Sequence, residues 1–178
     1  PNTSELRSEF AAPADRGNSF GTRMSALLIP STTGTYTFWI ASDDNGELWL
    51  GENRSATSRR MIASVPEWSG DREWNKFASQ QSSPIELVGG QIYYIEALQK
   101  EGGGGDNLAV AWEGPGISQE VIGSAYLRTI DYHAPQLNEA PSSLNLVENA
   151  AALNLSLSSL FSDADIGDSI TIELVSND

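Results

Sequence analysis

No cysteine occurs among the 178 residues, and the only histidine is His133. The first absence removes any disulfide framework, any thiolate metal site and any cysteine nucleophile. The second removes metal hydrolase sites that need several histidines. A Ser-His-Asp triad would have to be built around His133, where no nucleophile elbow is present. Basic residues are also scarce, with 10 Lys and Arg against 24 Asp and Glu and a formal net charge of −14. That balance argues against nucleic acid, whose phosphates demand basic patches. It suits modules that take up calcium outside the cell, because these carboxylates repel one another without cations. No apolar run reaches the roughly 20 residues of a membrane span. Pro1 is preceded by neither an initiator methionine nor a leader, so the sequence reads as a piece of a longer chain.

What the chain does contain is strand-like. Gly34 to Ser42, Glu47 to Leu50, Tyr93 to Gln99 and Leu108 to Trp112 read as strands, as do Met24 to Ile29, Arg60 to Val65 and Ile85 to Val88. Gly, Pro, Ser and Asn bound these runs, and few segments show helical periodicity. The pattern predicts an all-β sandwich. Leu6 to Phe10 is open between a turn of helix and a short strand. Trp39, Trp49 and Trp112 fall on strands and read as core. Trp68 and Trp74 fall in the charged stretch Pro66 to Phe77. They are assigned to packing on the sandwich, with stacking on a sugar ring as the alternative. Arg72 and Lys76 are expected to pair with Asp71 and Glu73.

Asp43-Asp44-Asn45-Gly46 lies between two of the strands. Asn-Gly in that setting signals a hairpin, with the two carboxylates at its mouth. Regular strand geometry sends neighbouring side chains to opposite faces. Joint action on one ion therefore requires an unusual backbone, of which a cis peptide is one form. The second feature is Gly102-Gly103-Gly104-Gly105-Asp106-Asn107, between two further strands. A glycine run frees backbone carbonyls to face a cation, or lets a ligand approach closely. Carboxylates, carbonyls and water are the hard oxygen donors that calcium takes. The alternatives are a solvated acidic turn and a flexible linker.

With these residues in view, the chain resembles the PA-fourteen family, named after anthrax protective antigen. It is most similar to the sugar-binding branch in bacterial adhesins and yeast flocculins. The resemblance rests on Gly34 to Asn45, Tyr93 to Leu98, Gly102 to Asp106 and Leu108 to Trp112, and covers roughly residues 1–132. The family usually has a further strand or so before Pro1. The resemblance implies a β-sandwich, a cis Asp-Asp bond and one calcium that bridges the protein to vicinal sugar hydroxyls. The expected metal ligands are Asp43, Asp44, Asp106, Gly103 and Gly104. The expected sugar contacts are Asp44, Gln99, Gly104, Gly105 and Asn107. The partners so implied are neutral monosaccharide units of glycans, met by a non-enzymatic module of a secreted or cell-surface bacterial adhesin. A rigid spacer and an accessory module of a glycoside hydrolase are the alternatives. Asp43 and Asp44 stand too close for glycosidase carboxylates, and Glu101 and Glu113 stay open.

Beyond Tyr132 aromatics give way to Phe161 alone. Residues 133–141 read as a linker and 142–178 as the start of a cadherin-like repeat, an incomplete second β-sandwich. Glu148, Asp163, Asp165 and Asp168 are its candidate calcium ligands, against an acidic but metal-free strand and turn.

Overall fold

The computed structural model describes residues 5–131, together with the backbone of two short strands, Gln136–Leu137 and Phe161–Ser162. The chain divides into two units, Pro1–Ile130 and Asp131–Asp178. In the second unit the two short strands pair antiparallel. Glu148, Asp163, Asp165 and Asp168 lie outside the described residues.

The first unit is all-β, with three short 3-10 turns and no α-helix among the described residues. Its strands are β1 (Phe20–Leu28), β2 (Gly34–Asp43), β3 (Asn45–Leu50), β4 (Arg60–Val65), β5 (Ile85–Leu87), β6 (Tyr93–Glu101), β7 (Asn107–Gly114), β8 (Ile117–Val121) and β9 (Leu127–Arg128). They form a five-stranded sheet, β4-β3-β6-β1-β9, and a four-stranded sheet, β5-β2-β7-β8. Every pairing is antiparallel. One face of each sheet supplies the core. Leu28, Leu48, Leu50 and Ile95 come from the first sheet, and Tyr36, Phe38, Ile40, Val110 and Trp112 from the second. The two-residue period of the strands produces this division of faces.

Trp112 is the largest fully buried side chain. It stacks on Tyr36 at 5.1 Å and takes Tyr126 edge-on at 4.8 Å. A Cβ at Gly114 would overlap the Tyr36 ring. Gly114→Ala is therefore expected to lower stability by about 1–3 kcal/mol, the usual cost of overpacking. Urea unfolding monitored by tryptophan fluorescence checks this. An unchanged midpoint would show that the Tyr36 ring moves aside freely.

The Asn-Gly hairpin does not form. β2 and β3 belong to different sheets, and the chain crosses between them at Asp43 and Asp44. The reason is apolar burial. Ile40 on β2 and Leu48 and Leu50 on β3 all enter the core, so the strands face each other across it. Gly46 packs so closely that an added Cβ would lie 2.7 Å from Ser42 Oγ and 3.3 Å from Ile40 Cδ1.

The edge of β2 left open beyond β5 is closed by the loop of residues 66–82. Ser69 N donates to Ser42 O at 2.7 Å, and Ser42 N donates to Ser69 Oγ at 3.0 Å. Gln80 Nε2 donates to Ile40 O at 2.9 Å, and Ser82 N donates to Phe38 O at 2.9 Å. The loop thus satisfies backbone groups that a neighbouring strand would otherwise take. It also buries the outward-facing Trp39. Trp39 is therefore beneath the loop rather than in the core, while Trp49 is half-buried on the outer face of the other sheet.

Candidate functional site

β2 ends at Asp43, opposite Asn107 at the start of β7. β6 ends at Glu101, beside the start of β3. Four strand ends therefore converge, and the glycine loop links two of them, β6 and β7. The Asp43-Asp44 peptide bond is cis. One carboxylate oxygen each from Asp43, Asp44 and Glu101 can be chosen so that all lie within 4.8 Å of one another. Asp44 N donates to Glu101 Oε2 at 3.1 Å, and Asp44 Oδ2 accepts from Gly102 N at 2.8 Å.

This geometry is electrostatically costly without a cation. Glu101 is 2% exposed, and its Oε1 has no hydrogen-bond partner. Burial pushes the Glu101 carboxyl above its ordinary value, and the negative charge of Asp44 pushes it further. Asp43 is raised by burial and then by Asp44, against a smaller opposing pull from Lys76. Two like unit charges about 4 Å apart repel by about 4 kcal/mol at an effective dielectric of 20. A hard cation removes that repulsion and gives the orphaned oxygen a partner. The donors are oxygens, which fits calcium.

Glu101 was not among the expected ligands, although its signal was present. Tyr93, Ile95 and Ala97 point inward, and the same two-residue parity carries Gln99 and Glu101 inward as well. An inward carboxylate at a strand end is unusual. Asp106 was expected as the third carboxylate, but its side chain is committed elsewhere. It is buried, with Oδ2 accepting from the backbone of Arg16 and of Gly17 and Oδ1 facing Arg16 Nε at 3.3 Å. Gln99, expected at the sugar, is buried too. Its Nε2 donates to Asp43 O and its Oε1 accepts from Arg16 at 3.2 Å. It therefore braces the acidic pair from behind.

The glycine loop is held by residues 15–19, which carried no sequence signal. Asp15 N donates to Asp106 O at 3.1 Å, Ser19 N to Gly102 O at 3.1 Å, and Gly104 N to Asn18 Oδ1 at 3.1 Å. Gly104 has φ +122°, where a side chain would be strained. At Gly105 an added Cβ would sit 3.6 Å from Asp15 Oδ1 and 3.7 Å from Asp43 Oδ2. Gly103 and Gly105 are exposed beside the cluster. Asn107 is buried, donates to Ser69 O at 3.0 Å, and keeps Oδ1 without a partner.

Asp106→Asn is expected to cost about 1–3 kcal/mol of stability, because it weakens a charged acceptor serving two backbone N–H groups and a guanidinium. Chemical denaturation checks it. A stability equal to that of the parent would mean that the strap at residues 15–19 holds the loop without Asp106.

Trp68 forms a backbone bridge with Asp43 and leaves its indole half-exposed. Lys76 Nζ sits over that ring, 2.8 Å from its centroid. Arg72 pairs with Glu9 at 2.7 Å. Neither cation takes the local partner expected, because the fold brings the Trp68 ring and Glu9 closer than their chain neighbours.

A two-sheet antiparallel domain with an acidic loop site at one end defines a class, and comparison places the chain within it. Residues 6–126 match the PA14 domain, and the chain belongs to that family. A mouse (Mus musculus) N-acetyl-beta-glucosaminyl-glycoprotein 4-beta-N-acetylgalactosaminyltransferase 1 is 34% identical over 123 residues, 65% of this chain and 12% of that protein. Fibrocystin of the dog (Canis lupus familiaris) is 32% identical over 106 residues, 54% of this chain and 2% of that protein. The chain thus spans a small part of these relatives. An epithelial adhesin 6 A domain from Candida glabrata, solved with Galb1-3GlcNAc, superposes with a TM-score of 0.49 and 15% identity, covering 63% of this chain and 51% of that one.

Proposed function

We propose that this domain is a calcium-dependent glycan-binding module carried by a larger secreted or cell-surface protein. The observation that carries the reading is the cluster of Asp43, Asp44 and Glu101, whose carboxylates each bring an oxygen within 4.8 Å of the others, and whose buried member, Glu101, keeps one oxygen without a hydrogen-bond partner. In this reading these three residues hold the ion, and the exposed glycine loop keeps one side of it accessible. Bound calcium would supply open coordination positions for vicinal hydroxyls of a neutral sugar. Asp44 fixes the loop through Gly102 N. Trp68 is half-exposed and bridged through its backbone to Asp43, and the ring face not taken by Lys76 would offer a platform for the C–H face of a pyranose.

Family membership supports a binding role, and the chain offers little for catalysis. The named relative that acts on glycoproteins is a transferase of which the match is a small part. That is consistent with a glycan-holding module attached to diverse larger proteins. Among the described residues no helix is long and apolar enough to cross a membrane. Single-site affinity is expected to be weak, with strength on a surface coming from many copies.

A glycan array probed with calcium and again with chelator tests the reading. Signal lost in chelator and restored by calcium supports it. Signal that persists in chelator for every bound glycan sinks it. Calcium uptake with no glycan signal would instead make the domain a calcium-stiffened spacer.

A further inference from the structure

A second feature lies on the outer face of the four-stranded sheet, away from the acidic pair. Beneath the loop of residues 71–81 is a hollow of about 570 Å³, within the range of small-ligand sites. Trp39, Trp74 and Phe77 line it, together with Asn75, Gln81 and Gln119. Trp39 precedes Asp43 by four residues on the same strand face. That places it about 13 Å away at 3.3 Å per residue, too far for one sugar ring to touch both.

The chemistry of the lining selects a ligand class. The two charges at the rim are already engaged. Arg72 pairs with Glu9, and Glu73 accepts from Gly70 N at 2.8 Å. The amides of Asn75, Gln81 and Gln119, by contrast, make no side-chain hydrogen bond among the described residues, and neither do the indole N–H groups of Trp39 and Trp74. The free groups are thus neutral, and the amides both donate and accept. Hydroxyls are their natural complement, and indole faces suit the C–H faces of pyranose rings.

We infer that this hollow is a second carbohydrate site, independent of calcium, that takes neutral pyranose oligosaccharides. Trp74 supplies the stacking face and Gln81 and Gln119 read hydroxyls. A glycan longer than about three rings could also span this hollow and the acidic pair at once, so the two sites would favour chains over single sugars.

The test uses the full chain stripped of metal and kept in chelator, which silences the acidic pair. It is titrated with maltotetraose, cellotetraose and lacto-N-neotetraose while the five indole N–H signals are followed by NMR. The expected result is a shift at Trp39 and Trp74, not at Trp68, with at least one tetrasaccharide. Trp74→Ala should weaken that binding about tenfold. Gln119→Ala, on an exposed strand position, should weaken it without touching the core. Asp44→Asn should leave it unchanged. If no tetrasaccharide moves the two indoles, or if both Trp74→Ala and Gln119→Ala bind as the parent does, the inference is overturned. Failure of calcium-dependent binding on the array would leave this result standing, so the two readings fail separately.

Discussion

Asp44→Asn is expected to weaken calcium binding by about 100-fold or more, and calcium-dependent glycan binding should fall with it. The substitution is chosen because it preserves shape. Asn retains an oxygen that can accept from Gly102 N, so the contact that fixes the glycine loop survives. What is lost is one negative charge from a cluster whose oxygens lie within 4.8 Å of one another. If charge holds the ion, calorimetric titration should show the loss while thermal stability without metal is unchanged or slightly higher. Asp71→Asn, on an exposed turn, removes the same charge elsewhere and serves as the control. Equal calcium affinity in Asp44→Asn and Asp71→Asn would mean that the ion, if bound, sits somewhere else.

The parts of this site that were legible in sequence are those that local periodicity encodes. β2, β6 and β7 announce themselves by alternation, and two of their ends carry the acidic pair and the glycine loop. Because β2 and β7 are neighbours with Asp43 opposite Asn107, the two loops had to meet. The crossing at Asp43-Asp44 was not legible. Asn-Gly carries the same local signal whether the next strand folds back or enters the opposite sheet, and only core packing of Ile40, Leu48 and Leu50 decides. The placement of Asp106 and Glu101 was hidden for a related reason: Glu101 lies in the acidic cluster, while Asp106 bonds Arg16 and Gly17. Their position in the loop is visible in sequence, but which carboxylate turns to the cluster depends on Arg16, ninety residues away. That strap works through backbone groups, the Arg16 guanidinium and the Asn18 amide, none of which leaves a periodic trace.

Saturating calcium is expected to stabilise the domain by about 4 kcal/mol at a free concentration a thousand times its dissociation constant, and this gain should shrink as pH falls. The sign follows from the two raised carboxyls. Asp43 and Glu101 are held above their ordinary values by burial and by the charge of Asp44. Between the ordinary carboxylate value and the raised one, the folded state binds more protons than the unfolded state. Unfolding free energy therefore falls as pH rises through that window, and the metal-free domain gains from these two groups on acidification. Calcium reverses the preference, because it binds the ionised forms and protons compete with it. Thermal unfolding between pH 7.5 and 4.5, with calcium and after metal removal, should give curves that converge at low pH. Glu101→Gln isolates the cause. Gln can still accept from Asp44 N as Glu101 does, yet it carries no charge to bury. The variant should be more stable than the parent without metal at pH 7, show a flatter pH dependence, and respond little to calcium. A metal-free Glu101→Gln protein less stable than its parent at pH 7 would mean that the buried carboxylate supports the fold by itself, and the cation would no longer be needed to explain it.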